Sequence, residues 1–326
     1  MASITKLPPD ENRGPLYLGV MIACLVLSVT FIALRTSVRL FMVKKLDLDD
    51  WFMLAALPFM IVNQGLSYVS LQYGMGRHIF FLGPPDIMNA IKYNAIAQIF
   101  NITTFYFVKA SIVLFLLRLV THLHKTKRMI LWISFGLLTA MNVEALIVSI
   151  FQCQPLQKQW NPTSSGICWN RNVFQYSAYA LAAVTILTDV VYLVLPIVYL
   201  WDLRVPTMRK VGIFALLGVG CVSMVCSIVT IPWLRDLSIT LDVTYEIVPL
   251  ACLKFAELNV AVWVGCVPAL QPLFRKLMGP GSTMPDPESG EKNSHRLLAI
   301  KRSQDTGSTK SSAHGTMKSE YEVLDE

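Results

Sequence analysis

The chain has 326 residues, of which 54% are hydrophobic and only 15% charged, and its mean hydropathy is +0.52. Soluble domains carry about 25% charged residues, so this deficit, gathered into long uncharged runs, excludes an ordinary soluble fold and points to a polytopic membrane protein. The net charge of +7 does not argue for nucleic acid, because the basic residues sit in short loops between apolar runs, where they act as topology signals.

Residues 1–15 have balanced charge and contain Pro8 and Pro9, and Arg35, Arg39, Lys44 and Lys45 follow the first apolar run. That order suits an uncleaved first span better than a signal peptide, which has a shorter core and a basic start. Since about 20 apolar residues cross a bilayer, seven spans are expected, at about 16–34, 51–73, 93–117, 129–151, 173–201, 211–233 and 247–273. The runs are continuous rather than alternating, so they are helices, which satisfy their own backbone groups in lipid. One set of loops carries thirteen Lys/Arg, among them Lys125, Lys127, Arg128, Arg204, Arg209 and Lys210, against seven on the other side. The richer side is expected in the cytosol, with the N-terminus outside and the C-terminus inside.

Beyond Lys276 the composition turns to Gly, Ser, Thr, Pro and charge, which cannot bury a core. The expected fold is therefore all-α, a seven-transmembrane helix bundle with a disordered cytoplasmic C-terminal tail. Its parts are a short extracellular or lumenal N-terminus (1–15), a membrane domain (16–276) and the tail (277–326). The lipid bilayer is its first partner, and composition alone leaves the plasma membrane and endomembranes both open.

Cys153 and Cys168 share one loop between the fourth and fifth runs, on the side expected to be oxidising, so they read as a disulfide or as two interfacial thiols. Gly74-Met-Gly76-Arg-His78 is superficially like a phosphate loop, but it follows a membrane run and reads better as a tight turn. H-E-x-x-H, G-x-S-x-G, the P-loop and C-x-x-C are absent, so neither metal nor cofactor is expected.

The stronger signal is ionisable residues inside the runs: Lys109, Glu144, Asp189, Lys254 and Glu257, with Asn259 beside them. A charge at a helix centre is disfavoured by about 2.5–3.5 kcal/mol on insertion scales, so these residues should face other helices or a wet cavity. Counted from the cytoplasmic ends, Lys109 lies about 14 Å deep and Asp189 about 18 Å, near enough to pair. Lys254 is free either to snorkel to the outer interface or to pair with Glu257 at i,i+3. Two readings follow: a structural polar clamp, or a pocket for a ligand or a proton. A retinal Schiff base at Lys254 is disfavoured, because the nearest acid lies one turn further on and no Asp precedes it by one turn.

The sequence also resembles the fungal rhodopsin-like integral membrane proteins, a seven-helix family that includes receptor-like proteins and proteins of satratoxin-type biosynthetic clusters. The residues that carry the resemblance are Arg35 with Arg39, Asp49-Asp50-Trp51, Gly74-x-Gly76-x-His78, Leu117-Arg118, Cys153-x-Pro155 with Cys168, Asp189, Arg209-Lys210, Glu257-x-Asn259 and Pro268 with Pro272. It departs at Arg118, which no acid precedes, and at Thr230, where the family's pattern leads one to expect an arginine that would partner Glu257 or Asp189.

The resemblance implies a receptor-like protein that takes a small apolar ligand, signals to a cytoplasmic protein and holds no retinal. The alternative is a membrane-embedded cyclase or isomerase, or an accessory protein, in a secondary-metabolite pathway, with Glu144, Asp189 and Glu257 as acids. An enzyme needs two acids converging on one cavity, whereas a clamp pairs each acid with a lysine or an amide. The sequence leans away from an enzyme.

Overall fold

The structure is a computed structural model and describes residues 9–119, 125–202, 225–233, 242–270, 272–273 and 276. The expected tail and the motif residues Arg209 and Lys210 lie outside the described residues. The helices are α1 (Gly14–Ser37), α2 (Leu48–Gln72), α3 (Pro84–Leu119), α4 (Lys125–Phe151), α5 (Arg171–Asp202), α6 (residues 225–233, in the sixth apolar run) and α7 (Val243–Cys266). All but α6 are, within the described residues, long and apolar enough to cross a bilayer. The fold is an all-α bundle of seven helices in a multi-pass integral membrane protein.

Two boundaries differ from the sequence expectation for physical reasons. α3 starts at Pro84 rather than near residue 93, because Pro84 and Pro85 suit a first helical turn and Asp86 complements its dipole. Its polar opening turns hide from hydropathy. α1 continues through a π-helical turn, Val38–Val43, that ends on Lys44 in the left-handed region (φ 55°). Arg35 and Arg39, expected as loop charges, are instead buried.

What buries them is an ion cluster between α1 and the start of α2. Arg35, 2% exposed, donates from Nε to Asp50 Oδ1 (2.9 Å), from Nη2 to Asp49 Oδ2 (2.6 Å) and from Nη1 to the Gly265 carbonyl of α7 (2.6 Å). Arg39 lies 3.5 Å from Asp49 and 3.3 Å from Asp50. Asp47 and Asp50 form a reciprocal capping box at the start of α2, and Arg118, at the end of α3, bonds to Asp47. Ser111 of α3 donates to the Asp49 carbonyl at 2.6 Å. Three guanidiniums thus meet three carboxylates, and four helices are tied at one end. Gly265 permits the approach, since a Cβ there would lie 2.8 Å from Met53 Cε.

The opposite end carries a different clasp. Gly74 (φ +94°) and Gly76 (φ +101°) shape the turn after α2, and a Cβ on Gly76 would lie 2.7 Å from the Gly14 nitrogen. The turn bonds on both sides: the Arg13 N–H donates to the Gly76 carbonyl (2.8 Å), and the Gly76 N–H donates to the Thr244 carbonyl (2.9 Å). His78 bonds to Asp242 through Nδ1 and stacks on Tyr245 at 3.8 Å, and the Tyr245 hydroxyl donates to Glu11 at 2.8 Å.

At the same end Asp10 accepts from Arg77 Nε at 2.8 Å, and that bond holds the Asp10 carboxyl below the usual carboxylate range. The contact therefore adds stability above that range and loses it as pH falls through the depressed value. Also at this end, β1 (Cys153–Gln154) pairs antiparallel with β2 (Ile167–Cys168), and a disulfide joins Cys153 to Cys168. In the chain-entropy model closing such a loop stabilises by about 3 kcal/mol.

Between the two ends runs an apolar core. One face of α2 presents Met53, Ala56 and Met60 at helical spacing to Ile32, Val108, Leu258 and Val262. Further along the same face the buried residues change to Asn63, Ser67 and Ser70. Removing Arg35 strands two buried carboxylates, so Arg35→Ala should lower stability by about 3–5 kcal/mol in detergent-solubilised protein. Arg77→Ala, at an exposed pair, should shift the melting temperature far less, and the reverse ranking would refute the importance assigned to the cluster.

Candidate functional site

The polar face of α2 opens into a cavity of about 250 Å³ that residues from all seven helices line. It lies in the half of the bundle nearer the disulfide. Its most regular wall is α3, where Asn94, Gln98 and Asn101 recur at i, i+4 and i+7 on one helical face and Phe105 follows. Asn63 and Ser67 of α2 and Asn142 of α4 add polar groups. Phe174, Leu181 and Ala182 of α5 and Ile247 and Leu250 of α7 add apolar surface.

The ionisable residues singled out in the sequence do not converge on this space. Lys109 and Asp189 form a buried ion pair between α3 and α5, and the Lys109 ammonium sits 5.0 Å from the centre of the Phe105 ring. Neither lines the cavity; Phe105 does. Glu144 accepts from Ser177 at 2.9 Å, joining α4 to α5. Asn259 accepts from Ser28 of α1 at 2.6 Å and donates to the Phe255 carbonyl at 2.7 Å, and Trp263 Nε1 donates to Ser28 at 2.8 Å.

Only Lys254 and Glu257 reach the cavity wall. Glu257, 1% exposed, accepts from Lys254 Nζ at 3.0 Å and from Ser227 of α6 at 2.7 Å. α7 begins at Val243 rather than near residue 247, so Lys254 lies about 16 Å inside the helix and pairs rather than snorkels. Thr230 spends its hydroxyl on the Cys226 carbonyl at 2.7 Å. Absence of the family arginine there leaves no acid stranded, since lysines and a serine hydroxyl serve Asp189 and Glu257.

The missing acid before Arg118 is likewise supplied from elsewhere, by Asp47 at the start of α2. Asp47, Asp49 and Asp50 bring carboxylate oxygens within 4.8 Å of one another, a spacing that would suit a cation. Three arginines already balance that charge, so the group behaves as one half of an ion cluster. Pro268 lies in the 3₁₀ turn Val267–Leu270 that ends α7, where it has no N–H to continue the helix.

The cavity's carboxamides were not among the residues picked out from the sequence. Their signal was present on α3, where an amide repeats at helical spacing. It was masked because Asn and Gln lower hydropathy without breaking a span. Asn63 and Asn142 give no such signal, because only the packed bundle places them beside α3.

The fungal rhodopsin domain matches residues 34–276. A SAT4 family membrane protein of Emericella nidulans is 29% identical over 65% of the chain, which spans 53% of that relative's length. The polyenoic acids biosynthesis gene cluster protein Ba17b of Metarhizium anisopliae is 24% identical over 82% of the chain and 77% of its own length. Fugralins biosynthesis cluster protein 2 of Gibberella zeae is 22% identical over 84% of the chain and 69% of its own length. No solved structure matches the chain.

If Lys109 and Asp189 act as a structural clamp, Lys109→Leu should destabilise the protein by about 3–5 kcal/mol, because it strips a buried carboxylate of its lysine. The double change Lys109→Leu/Asp189→Leu should recover most of that loss in a thermal melt. A double variant as unstable as the single one would argue against the clamp.

Proposed function

The chain belongs to the fungal rhodopsin domain family, and from that premise we propose that it is a receptor-like membrane protein whose ligand enters the central cavity. The family name carries no chromophore with it. The supporting observation is the division of polar labour inside the bundle. Asp189 and Glu144 are bonded to neighbouring helices outside the cavity, while uncharged amides and a single ion pair line it. A binding site needs a shaped, partly polar hollow. Acid catalysis of an apolar substrate needs convergent acids, and Glu257 is the one described carboxylate on this wall.

The cavity is well placed to bias helix positions. α6 and α7 meet it through the Ser227–Glu257–Lys254 chain, and Phe105 separates it from the Lys109–Asp189 pair that joins α3 to α5. α7 carries Pro249 between the lining residues Ile247 and Leu250, where a missing backbone hydrogen bond lets a small shift become a bend. Movement at the far end of α7 would reach Arg35 through the Gly265 carbonyl. On this reading the arginine end and the segment 277–326 face the cytosol, where a signalling protein would meet them.

The names of two relatives mention biosynthetic clusters, which keeps an enzymatic or accessory role as the second reading. Glu257→Gln and Asp189→Asn, expressed in the native host, separate the two. On the receptor reading the host's metabolite profile keeps the same products and their amounts follow a changed transcriptional response. Loss of one product with its precursor accumulating, at an unchanged membrane level of the protein, would establish the enzyme instead.

Sidedness has its own check. A membrane-impermeant lysine reagent applied to intact cells should leave Lys301, Lys310 and Lys318 unmodified, and labelling of these residues would invert the proposed orientation.

A further inference from the structure

We propose that the central cavity selects a neutral molecule of medium length carrying two or more hydroxyl or carbonyl oxygens, and discriminates against its acidic and basic counterparts. This rests on the ligand-binding reading above and adds the chemical class.

Size comes first. A cavity of about 250 Å³ lies just below the roughly 300–1,000 Å³ of pockets for drug-sized ligands, so it suits a smaller molecule of about ten to fifteen non-hydrogen atoms.

The polar groups come next. Asn63 is 2% exposed, lines the cavity, and its Nδ2 has no hydrogen-bond partner among the described residues. A buried amide left unpaired is disfavoured, so its presence in a close-packed helix face points to an acceptor that the described residues do not supply. Asn142 donates its own Nδ2 to the Leu138 carbonyl at 2.8 Å, which leaves its oxygen as the available acceptor. Asn94, Gln98 and Asn101 spread donors and acceptors over about 10 Å of α3. A carboxamide offers both roles and no net charge, which matches hydroxyl and carbonyl groups at intervals along a chain.

Charge decides the rest. Lys254 and Glu257 are the ionised side chains on the described wall, and they neutralise each other at 3.0 Å. An incoming carboxylate would place a second anion beside Glu257 with no further cation among the described lining residues. An incoming ammonium would place a second cation beside Lys254. Lys109 gives no help, because it is committed to Asp189. Either ion would surrender its hydration without gaining a counter-charge, whereas a hydroxyl exchanges water for amide contacts. The apolar stretch between such oxygens finds Leu181, Ile247 and Leu250.

The test uses the full chain in lipid nanodiscs and three probes that share a ten-carbon backbone: the α,ω-diol, the diacid and the diamine, at pH 7. The diol should bind at least about tenfold more tightly than either charged probe. Asn63→Leu, nearly isosteric, should weaken the diol roughly three- to tenfold while raising the melting temperature, since it removes a buried unpaired donor. Ala182→Phe, which fills the cavity, should abolish diol binding.

The diacid or the diamine binding most tightly would overturn the neutral class and leave the cavity as the ligand site. Asn63→Leu lowering stability with diol affinity unchanged would make Asn63 a structural residue and overturn the proposal. Diol binding indifferent to Ala182→Phe would take down the cavity as a ligand site, and the receptor-like reading with it.

Discussion

A guanidinium buried at one end of the bundle holds this architecture together. Arg35 is on the first helix, its two carboxylate partners open the second, and its third acceptor is a backbone carbonyl of the seventh. In a low-dielectric interior such a charge is tolerable only when its counter-charges and hydrogen bonds are complete. The chain meets that condition by bringing Arg39, Arg118 and Asp47 into the same group, so that three guanidiniums meet three carboxylates, with Lys45 at the exposed edge beside Asp47. The condition also fixes position, because none of the contributing helices can slide without stranding a charge. Gly265 makes the geometry possible by letting the backbone of α7 come within reach.

The far end solves the same problem with weaker and more exposed contacts. There the turn around Gly76 bonds to the N-terminal segment and to Thr244, and His78 fits between Asp242 and Tyr245. One end is thus held by a dense neutralised cluster, and the other by a turn, a stacked ring and a disulfide loop. The cavity opens between them, nearer the less densely charged end. An arrangement with one densely tied and one more lightly tied end is compatible with the receptor-like role proposed above.

Within that frame, the intramembrane charges and the cavity have separate tasks. Lys109–Asp189 and Glu144–Ser177 link neighbouring helices, and Asn259–Ser28 links α7 to α1. Glu257 and Lys254 stand at the boundary, paired with each other on α7, and Ser227 holds Glu257 to α6. Uncharged carboxamides take over where the space becomes open. Ion pairs are suited to tying helices in lipid because separation is so unfavourable, whereas amides can exchange one partner for another at little net change.

Hydropathy by itself determined that the chain crosses the membrane as a helical bundle, because twenty uncharged residues in a row have no other stable arrangement in lipid. It also set the partners that lie one helical turn apart, as with Lys254 and Glu257, since the helix fixes that spacing before any packing occurs. The depth estimate anticipated Lys109 with Asp189 because rise per residue is constant. Packing alone decided which face each helix turns inward. That choice converted Arg35 and Arg39 from loop charges into buried ones, gave Arg118 an acid from another helix, and gathered Asn63 and Asn142 beside the amide stripe of α3. Those contacts join residues far apart in the chain, and rotations of whole helices about their axes, which no local pattern encodes, set them in place.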